Sequence, residues 1–432
     1  MPFKMLLLHV AALGYNFLKQ NLGDQPFHDL AIQPIQGLFP AVTCTVQATM
    51  RTALPPSGHG LVGNGFFFRE QWKPLFWEQS SRLIEGGRIW DTFRSRGRTV
   101  AQMFIQQSLG PDSDLILSPA PIHKHHGGMI LDCFSEPASL NDRLRKEMGS
   151  PFPLHSYWGP LASGKSSRWI AGAVVSVMKK EKPDFLYTYL PHLDYALQKY
   201  GPEGDESGRA FRDAYTLLGE IIRTAREEHY HLVVFGDYPI TNADKVIFPN
   251  RVLRRAGLFK TRPVRGRHYP NFYTSPAFCM VDHQVAHLYL FEPGKLAEVK
   301  ALMMDLAGVD KVLDRPAQAA LGLDHARSGD LVLVAGPGHW FDYRWWEDKR
   351  EAPDYAVHID IHNKPGYDPC ELFWGWPPPS ISQNPLKIRG THGRVDLHEP
   401  VFYASDLDLK GKPETILELS RSIKELLDES RS

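Results

Sequence analysis

"PDFLYTYLPHLD" (residues 183–194), "FRDAYTLLGEIIRTAREEH" (211–229) and "HLVVFGD" (231–237) follow one another, and their reading decides the fold. The outer two runs are mostly apolar, of strand length, and each ends in an aspartate. The middle run repeats apolar residues at helical spacing. Near-continuous apolar strands separated by a helix fit a mostly parallel sheet covered on both faces. Working outward, residues 5–13 read as a first strand, and residues 44–53, "CTVQATMRTA", as a helix begun by a small polar residue. Residues 167–180, "SRWIAGAVVSVMKK", read as an amphipathic helix. The expected class is α/β: a mostly parallel central sheet with helices on both faces, plus a small α+β cap. Residues 1–64, 161–259 and 323–432 are assigned to the core. Residues 65–160 read as a loop-rich aromatic insertion and 260–322 as the cap, with "GDLVLVAGPG" (329–338) returning to the core.

Composition excludes several classes. The 432 residues carry 49 basic and 49 acidic side chains, so no net field draws a nucleic acid polymer or an acidic membrane surface. No run reaches the ~20 apolar residues that span a bilayer. The start, "MPFKMLLLHVAALGYNF", has a short apolar stretch and no clear small-x-small cleavage site, and reads as a buried strand. Cys44, Cys133, Cys279 and Cys370 lie far apart without a CxxC pair, which fits a reducing, cytoplasmic compartment.

In open α/β sheets ligands sit beyond the carboxyl ends of the strands. The candidate ends here are "HVAALG", "LPHLD" with Asp194, and "FGDY" with Asp237. "RGTHGR" adds His392 in a late Gly-flanked loop, and "FPAVTCTVQATMRTALPPSGHGLVGNG" (39–65) is rich in hydroxyls. A hydroxyl nucleophile, two aspartates and a histidine suit metal-assisted phosphoryl transfer, because carboxylate and imidazole are standard zinc ligands.

Here the chain resembles the alkaline-phosphatase superfamily, in particular its nucleotide pyrophosphatase/phosphodiesterase branch. "TCTVQATMRTALPPSGHGLVGN" is similar to the family's nucleophile block, in which a Thr opens a helix nine residues before a second Thr; counting back from Thr52 gives Thr43. "LPHLDYALQKYGP" matches a metal-binding element at Asp194, "VVFGDYPIT" another at Asp237, and "GTHGR" the late metal histidine at His392. "HARSGDLVLVA" and "DIHNKPGYDP" are also typical of phosphodiesterase-like members. The resemblance implies a hydrolase of phosphate esters, of diester or pyrophosphate-like bonds, with Thr43 as nucleophile and a divalent metal, zinc, as one or two ions. Its substrate would be a phosphorylated small molecule.

The departures matter. Where the family has a metal-binding Asp after the first strand, this chain has Ala11; where it has histidines, this chain has Gln198 and Tyr238. One half-site would keep Asp194 and His392, with Gln198 as a neutral oxygen ligand. The other would keep Asp237 and the Thr43 hydroxyl, with Tyr238 as a third group. Zinc in a catalytic site usually has three protein ligands. His9 and His192 stand two residues before Ala11 and Asp194 and are candidate substitutes; the competing reading for each is a hydrogen-bonded core histidine. Thr43 competes between nucleophile and helix N-cap, and Asn64 between phosphate donor and turn residue. The alternative function is a catalytically impaired or single-metal homologue that binds a phosphorylated small molecule, or acts on a phosphonate, a sulfate or a lipid head group.

Other motifs read more plainly. "GPLASGKS" (159–166) has the P-loop spacing, but no good strand precedes it. His123, His125 and His126 read as an exposed loop cluster, and Asp360 with His362 as a loop-ordering pair. The aromatic runs at 66–77 and 340–346 suit either an apolar pocket or core packing.

Overall fold

Strand β1 (Met5–Val10) lies inside an eight-stranded sheet and is buried along its whole length. The computed structural model describes residues 3–126 and 128–430. The same sheet takes β2 (Ala31–Ile35), β3 (Val100–Met103), β4 (Leu115–Pro119), β5 (Cys133–Glu136), β6 (Phe185–Leu190) and β7 (His231–Gly236). Strands β8 (Ala277–Asp282), β9 (Val285–Leu290), β10 (Val309–Leu313) and β11 (Leu331–Ala335) form a second sheet, after which β12 (Val401–Ser405) returns to the first. The order in the large sheet is β2-β12-β7-β1-β6-β3-β4-β5. The run from β7 to β4 is parallel, and the outer pairs β7–β12, β12–β2 and β4–β5 are antiparallel. All neighbours in the second sheet are antiparallel.

Both faces of the parallel strands are covered, which is why their sequences show no polar alternation. Leu6, Leu8 and Val10 pack with Val174 and Val177 of α2 (Gly164–Lys180). Leu218 and Ile221 of α4 (Asp205–Glu227) join the same core. Met5 and Leu7 face the other way, toward Val46 and Met50 of α1 (Thr43–Thr52) and Leu419 and Ile423 of α5 (Ile416–Glu429). Cutting one such leucine to alanine costs about 2–5 kcal/mol. Between α2 and α4 runs α3 (His192–Tyr200).

Helix α1 is buried at all ten positions. Its Val46 and Met50 meet the large sheet, while Cys44 and Ala48 meet Val285, Val332 and Val334 of the second sheet. A helix pressed between two sheets must satisfy its polar side chains internally. Gln47 accepts from the Gln106 N–H, Thr49 bonds His59, and Arg51 donates to the carbonyls of Gln106 and Gln107.

Several expectations shift. The first strand stops at Val10, because Ala12 turns to φ +57° and its N–H donates to Asp237 Oδ1. Residues 65–160 do not form a loop-rich region beside the core: they give β3, β4 and β5 to the large sheet. These strands are only 4–5 residues long and each carries an internal polar residue, so periodicity hides them. β11 lies inside the second sheet rather than the first; a buried antiparallel strand has the same apolar run as a parallel one. Ser163 precedes α2 and only a 3-10 turn (Leu154–Ser156) lies before it, so the P-loop spacing lacks its strand. The four cysteines are free and buried, and among the described residues no helix is long and apolar enough to cross a membrane.

Candidate active site

Thr43 is the first residue of α1, and the N-cap position belongs to Val42 in extended conformation. The Thr43 hydroxyl is therefore free of capping duty. It lies 3.0 Å from the phenol oxygen of Tyr238, which itself donates to Asp194 Oδ1 at 3.3 Å. With the Tyr238 proton directed at Asp194, the Thr43 hydroxyl is the donor to Tyr238.

Asp194 is not at a strand end. β6 closes at Leu190, and Asp194 sits in the first turn of α3 with Gln198 one turn later. Residues at i and i+4 share a helix face, and Gln198 Nε2 donates to Asp194 Oδ2 at 2.6 Å. Tyr367 donates to Gln198 Oε1 at 2.8 Å, which fixes the amide orientation. Helical geometry turns His192 away from Asp194; its Nε2 bonds the Ala210 carbonyl, as a core histidine does. Burial, with the negative charge of Asp237 next, raises the Asp194 carboxyl to about 7, against the lowering hydrogen bonds from Gln198 and Tyr238. Burial and then Asp194 and Asp237 push the Tyr238 phenol well above its usual range.

Asp237 follows β7. Its Oδ1 accepts the N–H groups of Ala12 and Tyr238, at 2.8 and 2.9 Å. Its Oδ2 lies 2.8 Å from His9 Nε2, and both side chains are fully buried. His9 shares its sheet face with Met5 and Leu7, and its Nδ1 meets Gln47 at 3.3 Å. Gly236 permits this arrangement: a Cβ there would stand 1.9 Å from the Leu13 carbonyl oxygen.

His392 is delivered by the two-residue strand Gly390–Thr391, which pairs with Thr241 and Asn242 just beyond Asp237. Its Nδ1 lies 2.7 Å from the Ala41 carbonyl, which can only accept, so the Nε2 lone pair faces Asp194 Oδ1 at 3.8 Å. Burial and then His283 lower its pKa well below the usual value, so the ring is neutral. The Tyr238 ring stacks on it at 3.6 Å and 3°. On the other side comes His283 at 3.8 Å, then Tyr367 against His283 at 3.7 Å. Four rings thus form one column.

Sequence reasoning missed Asp282, His283 and Tyr367. The first two sit at the tip of the β8–β9 hairpin, where His283 has φ +60°. The Gln284 N–H bonds the His392 carbonyl, and the Tyr367 N–H bonds the Val281 carbonyl, so the second sheet reaches into the site. Asp282 accepts from the backbone and side-chain N–H groups of Asn64, at 2.8 and 3.1 Å, and from His283 Nδ1 at 2.7 Å. Asn64 Oδ1 then accepts the Cys44 N–H, capping α1 from outside. "MVDHQ" contained an Asp-His pair at a turn, the one visible hint. His123, His125 and His126 are exposed; His362 bonds the Phe76 carbonyl, and Asp360 holds Asn363.

The zinc centre implied by the resemblance does not fit these donors. Both Asp194 oxygens receive hydrogen bonds, Gln198 turns its NH2 rather than its oxygen toward Asp194, and the Tyr238 oxygen is shared by Thr43 and Asp194. Ala11 offers nothing, and Asp237 Oδ1 takes two N–H groups while its Oδ2 faces His9 Nε2 at 2.8 Å without a hydrogen bond. Among the described residues, no group of three or more His, Cys, Asp or Glu is placed to hold a metal ion.

Residues 30–368 match a family model described as type I phosphodiesterase / nucleotide pyrophosphatase. Among solved structures, the chain is similar to phosphonoacetate hydrolase from Sinorhizobium meliloti 1021 in complex with phosphonoformate. That match has 16% identity and a TM-score of 0.62, over 98% of this chain and 95% of that one. It is also similar to murine ectonucleotide pyrophosphatase / phosphodiesterase 5, at 16% identity and a TM-score of 0.60, over 99% and 96%. An inactive threonine-to-alanine variant of the murine protein, in complex with AMP, matches at 16% identity and 0.61, over 100% and 96%. These likenesses establish the fold as alkaline-phosphatase-like.

Proposed function

The chain belongs to the type I phosphodiesterase / nucleotide pyrophosphatase family, and we propose that it hydrolyses phosphate esters with Thr43 as the attacking group. The observation that carries this reading is the Thr43 hydroxyl: it opens a helix, does no capping, and is hydrogen-bonded toward a carboxylate through Tyr238. A free hydroxyl is a poor nucleophile and needs an acceptor for its proton. The start of α1 adds backbone N–H groups and the positive end of the helix dipole, which favour a bound phosphate. The Cys44 N–H is held by Asn64, so Asn64 serves here as a brace for the helix start rather than as a phosphate donor.

The substrate class is a phosphorylated small molecule, of diester or pyrophosphate-like chemistry. AMP and phosphonoformate in the solved neighbours support a small phosphate- or phosphonate-bearing ligand, and the inactive threonine variant supports a threonine-dependent reaction. Four buried free cysteines support a reducing compartment.

Purified wild type and Thr43→Ala are to be compared on a chromogenic aryl phosphodiester, with and without added divalent metal. The expected result is turnover by wild type alone, with the phosphoryl group, still carrying its remaining ester substituent, recoverable on Thr43 by peptide mass spectrometry after acid quench. Equal rates for the two proteins would sink the reading.

A further inference from the structure

The side chains around Thr43 stand where a metal-dependent member of this fold would need ligands, yet they bind one another. Tyr238 joins Thr43 to Asp194, at 3.0 and 3.3 Å. Gln198 and Tyr367 complete the chain on the far oxygen of Asp194, at 2.6 and 2.8 Å. In the other half, Ala11 has no donor, and Asp237 faces His9 at 2.8 Å. A cation entering the first half would have to break two hydrogen bonds on Asp194 and unstack Tyr238 from His392, at 3.6 Å.

We infer that this site works without bound metal ions, Tyr238 standing in for them by holding the Thr43 hydroxyl and linking it to Asp194. The donor set carries the inference. A buried carboxylate without a cation needs hydrogen bonds or a cationic neighbour; both Asp194 oxygens have hydrogen bonds, and Asp237 Oδ2 has only His9 Nε2, at 2.8 Å. Each donor in the chain has one acceptor: Thr43 to Tyr238, Tyr238 to Asp194, Tyr367 to Gln198 and Gln198 to Asp194. The stacking of Tyr238 on His392 and of His283 on Tyr367 fixes the rings that the chain depends on.

For the hydrolysis itself this inference rests on the reading of Thr43 as nucleophile. The Thr43 Oγ1–phosphorus bond forms as the ester oxygen–phosphorus bond breaks. The Thr43 proton passes to Tyr238 Oη while the Tyr238 proton passes to Asp194 Oδ1. The departing ester oxygen takes a proton from solvent. Water then displaces the threonine oxygen from phosphorus and releases its spare proton to solvent. Asp194 returns a proton through Tyr238 to Thr43. Tyr238 is neutral before and after, and it relays the proton between Thr43 and Asp194.

The test is zinc binding and turnover, measured separately. Wild type, freed of metal with EDTA and then dialysed against zinc, is expected to retain no stoichiometric zinc by elemental analysis and to give no saturable heat in a zinc titration. Its turnover is expected to be the same in EDTA as in zinc. A triple variant, Ala11→Asp with Gln198→His and Tyr238→His, is expected to bind zinc. Tyr238→Phe keeps the stack on His392 and is expected to lower kcat by about 10²–10⁴-fold with little change in KM. One or more zinc ions retained by wild type, at His283 and His392 or elsewhere in the site, would overturn the inference. So would turnover abolished by EDTA, or a Tyr238→Phe enzyme with unchanged kcat. A wild type that neither binds zinc nor hydrolyses any phosphate ester would leave the metal-free site standing and remove the hydrolytic reading.

Discussion

His287 and His59 are expected to make the chain acid-labile, because each ring is buried with its Nδ1 occupied by a backbone N–H. The His287 Nδ1 accepts the Gly329 N–H at 3.0 Å, while its Nε2 donates to the Val62 carbonyl at 3.0 Å. His59 repeats the pattern: Nδ1 accepts the Leu61 N–H at 3.1 Å and Nε2 meets Thr49 at 2.9 Å. In both rings a proton added at Nδ1 would face a backbone N–H, so protonation breaks the bond that fixes the ring. Burial lowers His287 to about 4 and His59, with help from His325, to about 3, both from 6.5. A base whose folded pKa is depressed contributes stability that is present above the unfolded pKa and lost as pH falls through 6.5 toward the folded value. At about pH 5 the unfolded chain gains about 2 kcal/mol per histidine from protonation that the folded chain does not gain. The pair together removes about 4 kcal/mol, a large part of an ordinary domain's stability. The assay is urea unfolding of wild type, His287→Gln and His59→Gln at about pH 8 and about pH 5. Each variant is expected to be weaker at the higher pH, having lost a bond, but to lose about 2 kcal/mol less than wild type on acidification. Other titrating groups cancel in that difference. Variants with the same acid loss as wild type would refute the reasoning.

Two further outcomes follow from packing. Arg51 is fully buried inside α1, donates to two carbonyls and is pulled down to about 9 by burial. Arg51→Ala strands both acceptors and is expected to cost about 3–5 kcal/mol in a urea melt, with little rescue by lysine, which lacks the fork. Gly236→Ala would place its Cβ 1.9 Å from the Leu13 carbonyl oxygen and 2.9 Å from its carbon, backbone atoms that cannot swing away. The expected loss is about 3 kcal/mol or more, read as a lowered Tm, together with lower turnover because Tyr238, which bonds Thr43, lies two residues on.

The parallel heart of the fold was legible because strands buried on two faces leave an unbroken apolar run, as at 185–190 and 231–236. The place of Thr43 at a helix start was legible because a resemblance fixed its spacing to Thr52, and α1 begins at that residue. The partners of Thr43 were not. Tyr238 is 195 positions away, and nothing local in "GDYPI" says that its phenol reaches back to a threonine. Asp194 read as the end of a strand because "LPHLD" continues an apolar run, yet Pro191 turns the chain into a helix. That change of period separates His192 from Asp194 and unites Asp194 with Gln198. His9 read as a possible substitute ligand on the correct face, and it is Asp237 that it meets. The second-sheet residues escaped because a hairpin tip acquires its role only when two sheets close on α1.

The place of β12 has a consequence for synthesis. It pairs on one side with β7 and on the other with β2, so the last strand made inserts between two made much earlier. From residue 236 until residue 401 has emerged, β7 keeps an open edge, and an unpaired edge is a template for other chains. At about 5–20 residues per second that interval is about 10–30 s. The edge of β7 is therefore safe only once Val401–Ser405 has been made and has inserted beside it.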